Sequence, residues 1–107
     1  MSDSLKTTLH AFSYAWLNEA DLHTSFNPDD PTQSAAPLIS HATAGMDVLD
    51  EMAERNNTMH HVWYSLNDSI QHLKERDADE DMDRHDWAEL YPDIVQAVHD
   101  GMTLLGL

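Results

Sequence analysis

The sequence predicts an all-α fold, with a long central helix (or a helical hairpin) between shorter N- and C-terminal helices, assembled as a dimer. Apolar residues recur at steps of three and four along most of the chain, which is the period of an amphipathic helix. No segment alternates apolar and polar residues as a half-buried strand does. The 107 residues are enough for one domain, so residues 1–107 are predicted to form a single helical unit.

The first helix is predicted from Ser4 to Asp21. Its apolar residues lie on one face: Leu5, Leu9, Phe12 and Trp16. Residues 23–34 are predicted to form a loop, because two prolines three residues apart do not fit inside a helix. Phe26 is expected to pin this loop onto the core.

The central segment carries the longest apolar pattern. It advances by alternating steps of four and three through Leu38, Ala42, Gly45, Leu49, Met52, Asn56, Met59, Trp63, Leu66, Ile70 and Leu73. Such heptads predict a coiled-coil seam. One helix over residues 37–75 would be about 60 Å long, which is too long for a compact monomer and therefore implies a dimer or an elongated bundle. Asn56-Asn57-Thr58 favours the alternative, a break into two helices, whereas the phase kept across it favours continuity.

The C-terminal part is predicted to begin with an acidic connector, residues 75–86, and to continue as a helix capped by Asp83. Helical spacing then relates Trp87, Tyr91, Ile94, Val98, Met102 and Leu105. Pro92 lacks a backbone N–H, so a kink or a restart of the helix is expected there.

The charge excludes some partners and favours others. Twenty Asp and Glu oppose five Lys and Arg, and the net charge of −15 is spread over both halves of the chain. Nucleic acid and anionic membranes are not expected to bind directly, because both need Lys and Arg to neutralise phosphate. A basic protein partner is favoured, since complementary fields speed encounter; the plainer interpretation is that the acids only maintain solubility. The absence of cysteine, of a signal segment and of an apolar span predicts a cytoplasmic protein.

Metal sites and cofactors are not predicted. Asp77, Asp79 and Asp81 resemble the start of an EF-hand calcium loop, but Met82 and Ala88 occupy the positions that require Gly and Glu. Acidic residues precede three of the eight histidines by four positions: Glu19 and His23, Asp68 and His72, Asp81 and His85. No Glu-x-x-His pair of a di-iron bundle and no His-Glu-x-x-His zinc motif accompanies them.

Catalytic motifs are also not found. There is no nucleophile elbow, and three glycines do not make a phosphate-cradling loop. The chain is therefore predicted not to be an enzyme.

Aromatic and apolar residues on the predicted helix faces are the candidates for binding, with a place in the core as their alternative role. The predicted partner-binding residues are Trp63, Trp87, Leu90, Tyr91, Ile94 and Val98. The predicted self-association residues are Leu49, Met52, Asn56, Met59, Leu66 and Ile70.

Two runs carry a resemblance to a known family: Ser34-Ala35-Ala36-Pro37-Leu38-Ile39-Ser40-His41-Ala42 and Met46-Asp47-Val48-Leu49-Asp50-Glu51-Met52-Ala53. They resemble a helical segment of small pseudomonad proteins, and the whole chain is similar in size and helical character to the QslA family of quorum-sensing anti-activators. The resemblance implies a non-catalytic helical dimer that binds a LuxR-type transcription factor and prevents its dimerisation and DNA binding.

The sequence thus predicts a homodimeric inhibitor of a DNA-binding protein. An anti-activator of a transcriptional regulator is the favoured form of this prediction. One alternative is an acidic DNA mimic that inhibits restriction or CRISPR machinery. Another, from a different class, is a metal- or calcium-binding helical protein that uses the segment 77–86. A structural homodimer without a further partner is the plainest alternative.

Overall fold

The computed structural model describes the backbone of residues 3–75 and 80–107, and the side chains of residues 7–72 and 84–107. Every regular element in these residues is a helix: α1 (Asp3–Thr24), α2 (Ala36–Ala53), α3 (Asn57–Glu75) and α4 (Glu80–Leu104). The all-α prediction is confirmed for the described chain. None of its described helices combines the length and the apolar character that a membrane span requires.

The central segment forms two helices, which is the helical hairpin given above as the alternative to one continuous helix. Helix α2 ends at Ala53, α3 begins at Asn57, and the two pack on each other as a helical hairpin. The interruption, residues 54–56, is close to one helical turn in length. The apolar pattern therefore keeps its phase across the break, which is why the phase did not distinguish one helix from two.

Side chains at the break stabilise both helix ends. The Arg55 guanidinium donates to the carbonyl of Glu51 at 2.8 Å, which satisfies an otherwise free acceptor in the last turn of α2. The side-chain oxygen of Asn56 accepts from the backbone N–H groups of Thr58 and Met59 at 2.9 and 3.3 Å. Asn56 is therefore the N-cap of α3 and does not lie on a seam.

Each terminal helix is longer than either helix of the central hairpin and shorter than the central segment as a whole. Helix α1 has 22 residues and α4 has 25, against 18 and 19 in α2 and α3. Helix α4 already begins at Glu80, so Asp83 lies inside the helix and is not its cap. The helix also continues through Pro92. Burial of Tyr91 and Ile94 on either side stabilises the helix against the one lost backbone hydrogen bond.

The core lies mainly between α2 and α4, and α1 and α3 each pack on both of these helices. In the described chain α1 and α3 do not pack on each other. The largest fully buried side chains are Tyr91, Leu38, Leu49, Met52, Met59, Ile94, Val48, Val98 and Ser13. Helix α4 is about 37 Å long at 1.5 Å per residue and runs along most of the 45 Å length of the molecule.

The loop between α1 and α2 is held against α4. Phe26 is half-buried and packs on the core, as expected. The Arg84 guanidinium lies 5.5 Å from the centre of the Phe26 ring and donates to the carbonyl of Asp30 at 2.7 Å. His85 approaches a carboxylate oxygen of Asp29 at 2.8 Å. These contacts fix the loop that positions the start of α2.

Candidate functional site

The predicted partner-binding residues lie mostly inside the chain. Trp87, Tyr91, Ile94 and Val98 are between 0 and 4% exposed. Trp63 and Leu90 are half-buried and pack on the core. Four of the six residues therefore form the core of the single chain, and a surface for a partner has to be sought elsewhere.

The predicted self-association residues follow the same pattern. Leu49, Met52, Met59 and Ile70 are buried within one chain, and Leu66 is half-buried. The apolar pattern therefore identified the core-facing stripes of α2 and α3. The homodimer itself stays a prediction, and the four buried residues are not on the surface of the single chain.

Phe12 on α1 is exposed, although the sequence placed it on the buried stripe. The buried face instead runs through Leu9, Ser13, Trp16 and Ala20, while Phe12 keeps 54% of its surface exposed. Ser13 fits inside because its hydroxyl donates to the carbonyl of Leu9 at 2.8 Å. The steps of four, three and four through residues 9, 13, 16 and 20 carry this signal in the sequence, but Ser13 makes it hard to recognise.

A stack of three rings joins α1 and α2 beside Phe12. The Trp16 and His41 rings are nearly parallel, 13° apart, with centroids 4.3 Å apart. The ring of His23 lies at the same distance from His41. The Trp16 indole N–H also donates to the carbonyl of His41 at 2.6 Å. This stack was not anticipated from the sequence, where His41 was only part of a helical run.

The hydrogen bonds of His41 define its protonation state. Its Nε2 lies 3.1 Å from the carbonyl of Trp16, which can only accept, so Nε2 carries the hydrogen. The Nδ1 of the neutral ring then accepts from the hydroxyl of Tyr91 on α4, at 2.7 Å. One buried imidazole thus connects three helices, and both of its nitrogens are engaged.

Burial favours the neutral form of both ionisable side chains of this network, His41 and Tyr91. Desolvation lowers the pKa of His41 below its ordinary value of 6.5, the nearby His23 lowers it further, and the Trp16 carbonyl and Glu19 oppose the shift. Desolvation, with a smaller effect from Asp21, raises the pKa of Tyr91 to about 12. Both side chains are therefore neutral at pH 7.

Two cavities flank Phe12 along the face between α1 and α2. The first, called here the stack cavity, has a volume of about 530 Å³ and is lined by the three residues of the ring stack and by Glu19. Its lining consists of Phe12, Ala15, Trp16, Glu19, His23, Pro37, Ser40, His41 and Ala44.

The second, called here the acidic cavity, has a volume of about 490 Å³. Its apolar part is formed by Leu9, Phe12 and Val48. Its remaining lining is mostly acidic and consists of Thr8, Asp47, Asp50, Glu51 and Arg55. The Arg55 guanidinium pairs with Glu51 at 3.4 Å and with Glu54 at 3.7 Å. The two carboxylates of Asp47 and Asp50 are exposed, which gives this end of the groove a negative rim.

The described side chains include no cluster of three His, Asp or Glu residues that could hold a metal ion. Asp68 and His72 approach each other at 3.6 Å on the exposed side of α3. His85 contacts Asp29 of the loop. Most of the suggested calcium loop, including Asp77, lies outside the described residues, as does the side chain of Leu73.

The chain was also compared with protein-family models, with curated proteins and with solved structures, and none of the three comparisons found a match.

Proposed function

We propose that the protein is a non-enzymatic inhibitor that binds a nucleic-acid-binding protein through the face between α1 and α2. The observation that carries this proposal is Phe12, a large apolar side chain 54% exposed between two cavities. Aromatic residues in the centre of a recessed surface are the usual anchors of protein interfaces. The sequence resemblance described above makes an anti-activator of a transcriptional regulator the closest specific form of the proposal.

The charge of the groove supports a basic partner. The exposed residues Asp47 and Asp50 line the acidic cavity together with the apolar side chain of Val48. The chain as a whole carries −15. A partner segment with apolar residues and Lys or Arg would satisfy both features. Protein surfaces that bind nucleic acid are rich in Lys and Arg. When bound to such a surface, the chain would compete with DNA for the partner.

The hydrogen bonding of the ring stack supports a binding role over catalysis. His41 is the most buried histidine side chain among those described, and its two nitrogens engage Trp16 and Tyr91. A general base needs a lone pair that faces its substrate. The neutral imidazole has one lone pair on nitrogen, and the Tyr91 hydroxyl occupies it.

The test combines capture with a DNA-binding assay. The tagged protein is incubated with nuclease-treated host lysate, the captured protein is identified and purified, and its affinity for DNA is measured with and without the chain. We expect the chain to weaken DNA binding, and Phe12→Ala to lower capture at least tenfold, because a buried aromatic anchor contributes about 2 kcal/mol.

Tyr14→Ala is the matched control. Tyr14 is a 57% exposed aromatic residue of the same helix and lines neither cavity. Equal losses for both variants would contradict the proposed face. If the captured protein does not bind nucleic acid, or binds it unchanged, the inhibitory function is wrong.

A DNA-mimic inhibitor is the second candidate, supported by the same net charge. In a mimic the carboxylates provide most of the affinity, so the complex should weaken steeply as salt increases. An interface anchored by Phe12 should lose little affinity over the same range. Titration of the complex at several salt concentrations separates the two candidates.

We infer that the proposed inhibitor is a homodimer, as the sequence resemblance implies, and that it acts in the cytoplasm, as the composition of the sequence predicts. Sedimentation equilibrium checks the oligomeric state directly. A monomer at micromolar concentration would remove the dimer from the proposal and leave the binding face unchanged.

A further inference from the structure

The stack cavity offers a ligand one charged group and one exposed aromatic face. Glu19 is the acidic residue in its lining, and in the described part of the chain its carboxylate has no hydrogen-bond or ion-pair partner. Phe12 also lines this cavity and is exposed. The volume of about 530 Å³ is within the range of about 300–1,000 Å³ typical of small-ligand sites.

The two buried donors of this cavity are already engaged. The Trp16 indole N–H donates to the carbonyl of His41, and His41 Nε2–H is directed to the carbonyl of Trp16. An anion would therefore find neither donor available, and Glu19 would repel it. A cation would find the acidic Glu19 and the exposed aromatic Phe12 in the lining, in a chain that carries −15.

We propose that the stack cavity is a receptor for the guanidinium group of an arginine side chain, which pairs with Glu19 and stacks on Phe12. The planar guanidinium can make two parallel hydrogen bonds to a carboxylate and can also lie against an aromatic ring, whereas an ammonium group is a compact point charge. This inference rests on the proposed function, because the arginine would belong to the basic partner. It adds to that function a defined position for one basic side chain.

Because the ring stack contains histidine, arginine binding at this site should depend on pH. His41 faces Trp16, Glu19 and His23 of α1 and Tyr91 of α4. Protonation of His41 would place a positive charge in the wall of the cavity and repel the guanidinium. Because burial lowers the pKa of His41 below 6.5, arginine binding should weaken only as the pH falls below that value.

The test uses N-acetyl-arginine amide as the probe and the neutral, nearly isosteric N-acetyl-citrulline amide as its control. Each is titrated into the isotope-labelled protein at pH 7.5, and the signals of the Trp16 indole N–H and of Phe12 are followed by NMR. For the arginine probe we expect saturable changes with a Kd on the order of 1 mM, and at least fivefold weaker binding of citrulline.

Glu19→Gln should weaken binding of the arginine probe at least fivefold, since it removes the charge and keeps the shape. Glu89→Gln, at an exposed residue of α4 that lines neither cavity, is the matched control and should leave the Kd unchanged. The site is refuted if citrulline binds equally well, if Glu19→Gln has no effect, or if the changes are non-saturable and spread over the acidic surface.

Failure of this inference can be told from failure of the proposed function. If the arginine probe does not bind but capture of the DNA-binding partner still depends on Phe12, only the arginine site is wrong. If the probe binds but no nucleic-acid-binding protein is captured, the cavity is a cation site and the proposed function is wrong.

Discussion

His41 links three helices through one imidazole ring, and it does so without leaving a buried nitrogen unpaired. Its neutral form donates to the Trp16 carbonyl and accepts from the Tyr91 hydroxyl. When the ring gains a proton, Nδ1 becomes a donor, and the Tyr91 hydroxyl can turn to the carbonyl of Ala20, 3.4 Å away. Protonation of His41 is therefore unfavourable mainly because the charged ring is desolvated and is repelled by His23, and not because hydrogen bonds are lost.

The first prediction concerns pH. Because burial lowers the pKa of His41 in the folded chain below 6.5, the unfolded chain takes up this proton first as the pH falls. The contribution of His41 to the free energy of unfolding is therefore complete above pH 6.5 and decreases as the pH falls below this value. Urea unfolding at pH 7.5 and 5.5 should show a larger loss for the wild type than for His41→Gln.

The exposed histidine His99 provides the control for this experiment. His99→Gln should lose as much stability as the wild type over the same pH interval. If His41→Gln loses as much stability as the wild type between pH 7.5 and 5.5, groups other than His41 cause the loss. Tyr91→Phe, which keeps the ring and removes one hydrogen bond, is the milder variant if His41→Gln does not fold.

The second prediction concerns Gly45, which lies under the Trp16 indole. A Cβ at this position would come within 2.5 Å of Trp16 Cζ2 and 3.0 Å of Ile94 Cγ2. The indole is held by its stack and by a hydrogen bond, so it cannot move aside easily. Gly45→Ala should lower the free energy of unfolding by about 1–3 kcal/mol in spite of its gain in helix propensity, as measured by urea unfolding.

Gly101 in α4 provides a matched comparison. A Cβ there would also be crowded, but by the ends of the flexible Met52 and Met59 side chains. Methionine can adopt other rotamers, so Gly101→Ala should cost less than Gly45→Ala. The reverse order would contradict a rigid indole at the α1–α2 contact.

At the scale of the elements, the break between α2 and α3 depends on local capping. The third prediction is that Asn56→Ala lowers the free energy of unfolding by about 1 kcal/mol, because the N–H groups of Thr58 and Met59 lose their acceptor. Chemical denaturation measures the change. The neighbouring Asn57→Ala removes an exposed side chain within the first turn and should change stability by less than half as much.

The same element shows how far the sequence could predict the fold. Helical class and the core stripes followed from apolar spacing, because burial imposes the period of a helix on α2 and α3 alike. The break did not follow, because three residues replace almost one turn and leave that period intact. A capping asparagine and an asparagine on a coiled-coil seam have the same sequence spacing.

The candidate site was less predictable than the core. Phe12 looked buried because Ser13 occupies the inner position of α1. The ring stack depends on contacts between residues 25 positions apart, such as Trp16 and His41, which no local pattern encodes. Conversely, residues such as Trp87 fitted both an interface and a core, and packing of the whole chain determines which role they take.

At the scale of the whole molecule, the net charge of −15 opposes the compact state. The fourth prediction is that added sodium chloride stabilises the protein, because an increase from about 0.1 M to 1 M shortens the Debye length from about 10 Å to about 3 Å. Thermal unfolding at these concentrations should show a higher Tm in high salt. Neutralising Asp47, Asp50 and Glu51 together should reduce this gain; an unchanged or larger gain would contradict repulsion as its cause.

The placement of α1 against both α2 and α4, and away from α3, has a consequence for the order of folding. The α2–α3 hairpin closes over three residues and needs little loop entropy, whereas α1 is tethered by the longer segment 25–35. The indole of Trp16 reaches its final surroundings only when His41 and Tyr91 are both present. We therefore expect its N–H to gain protection from hydrogen exchange in the last kinetic phase of refolding, after the hairpin amides.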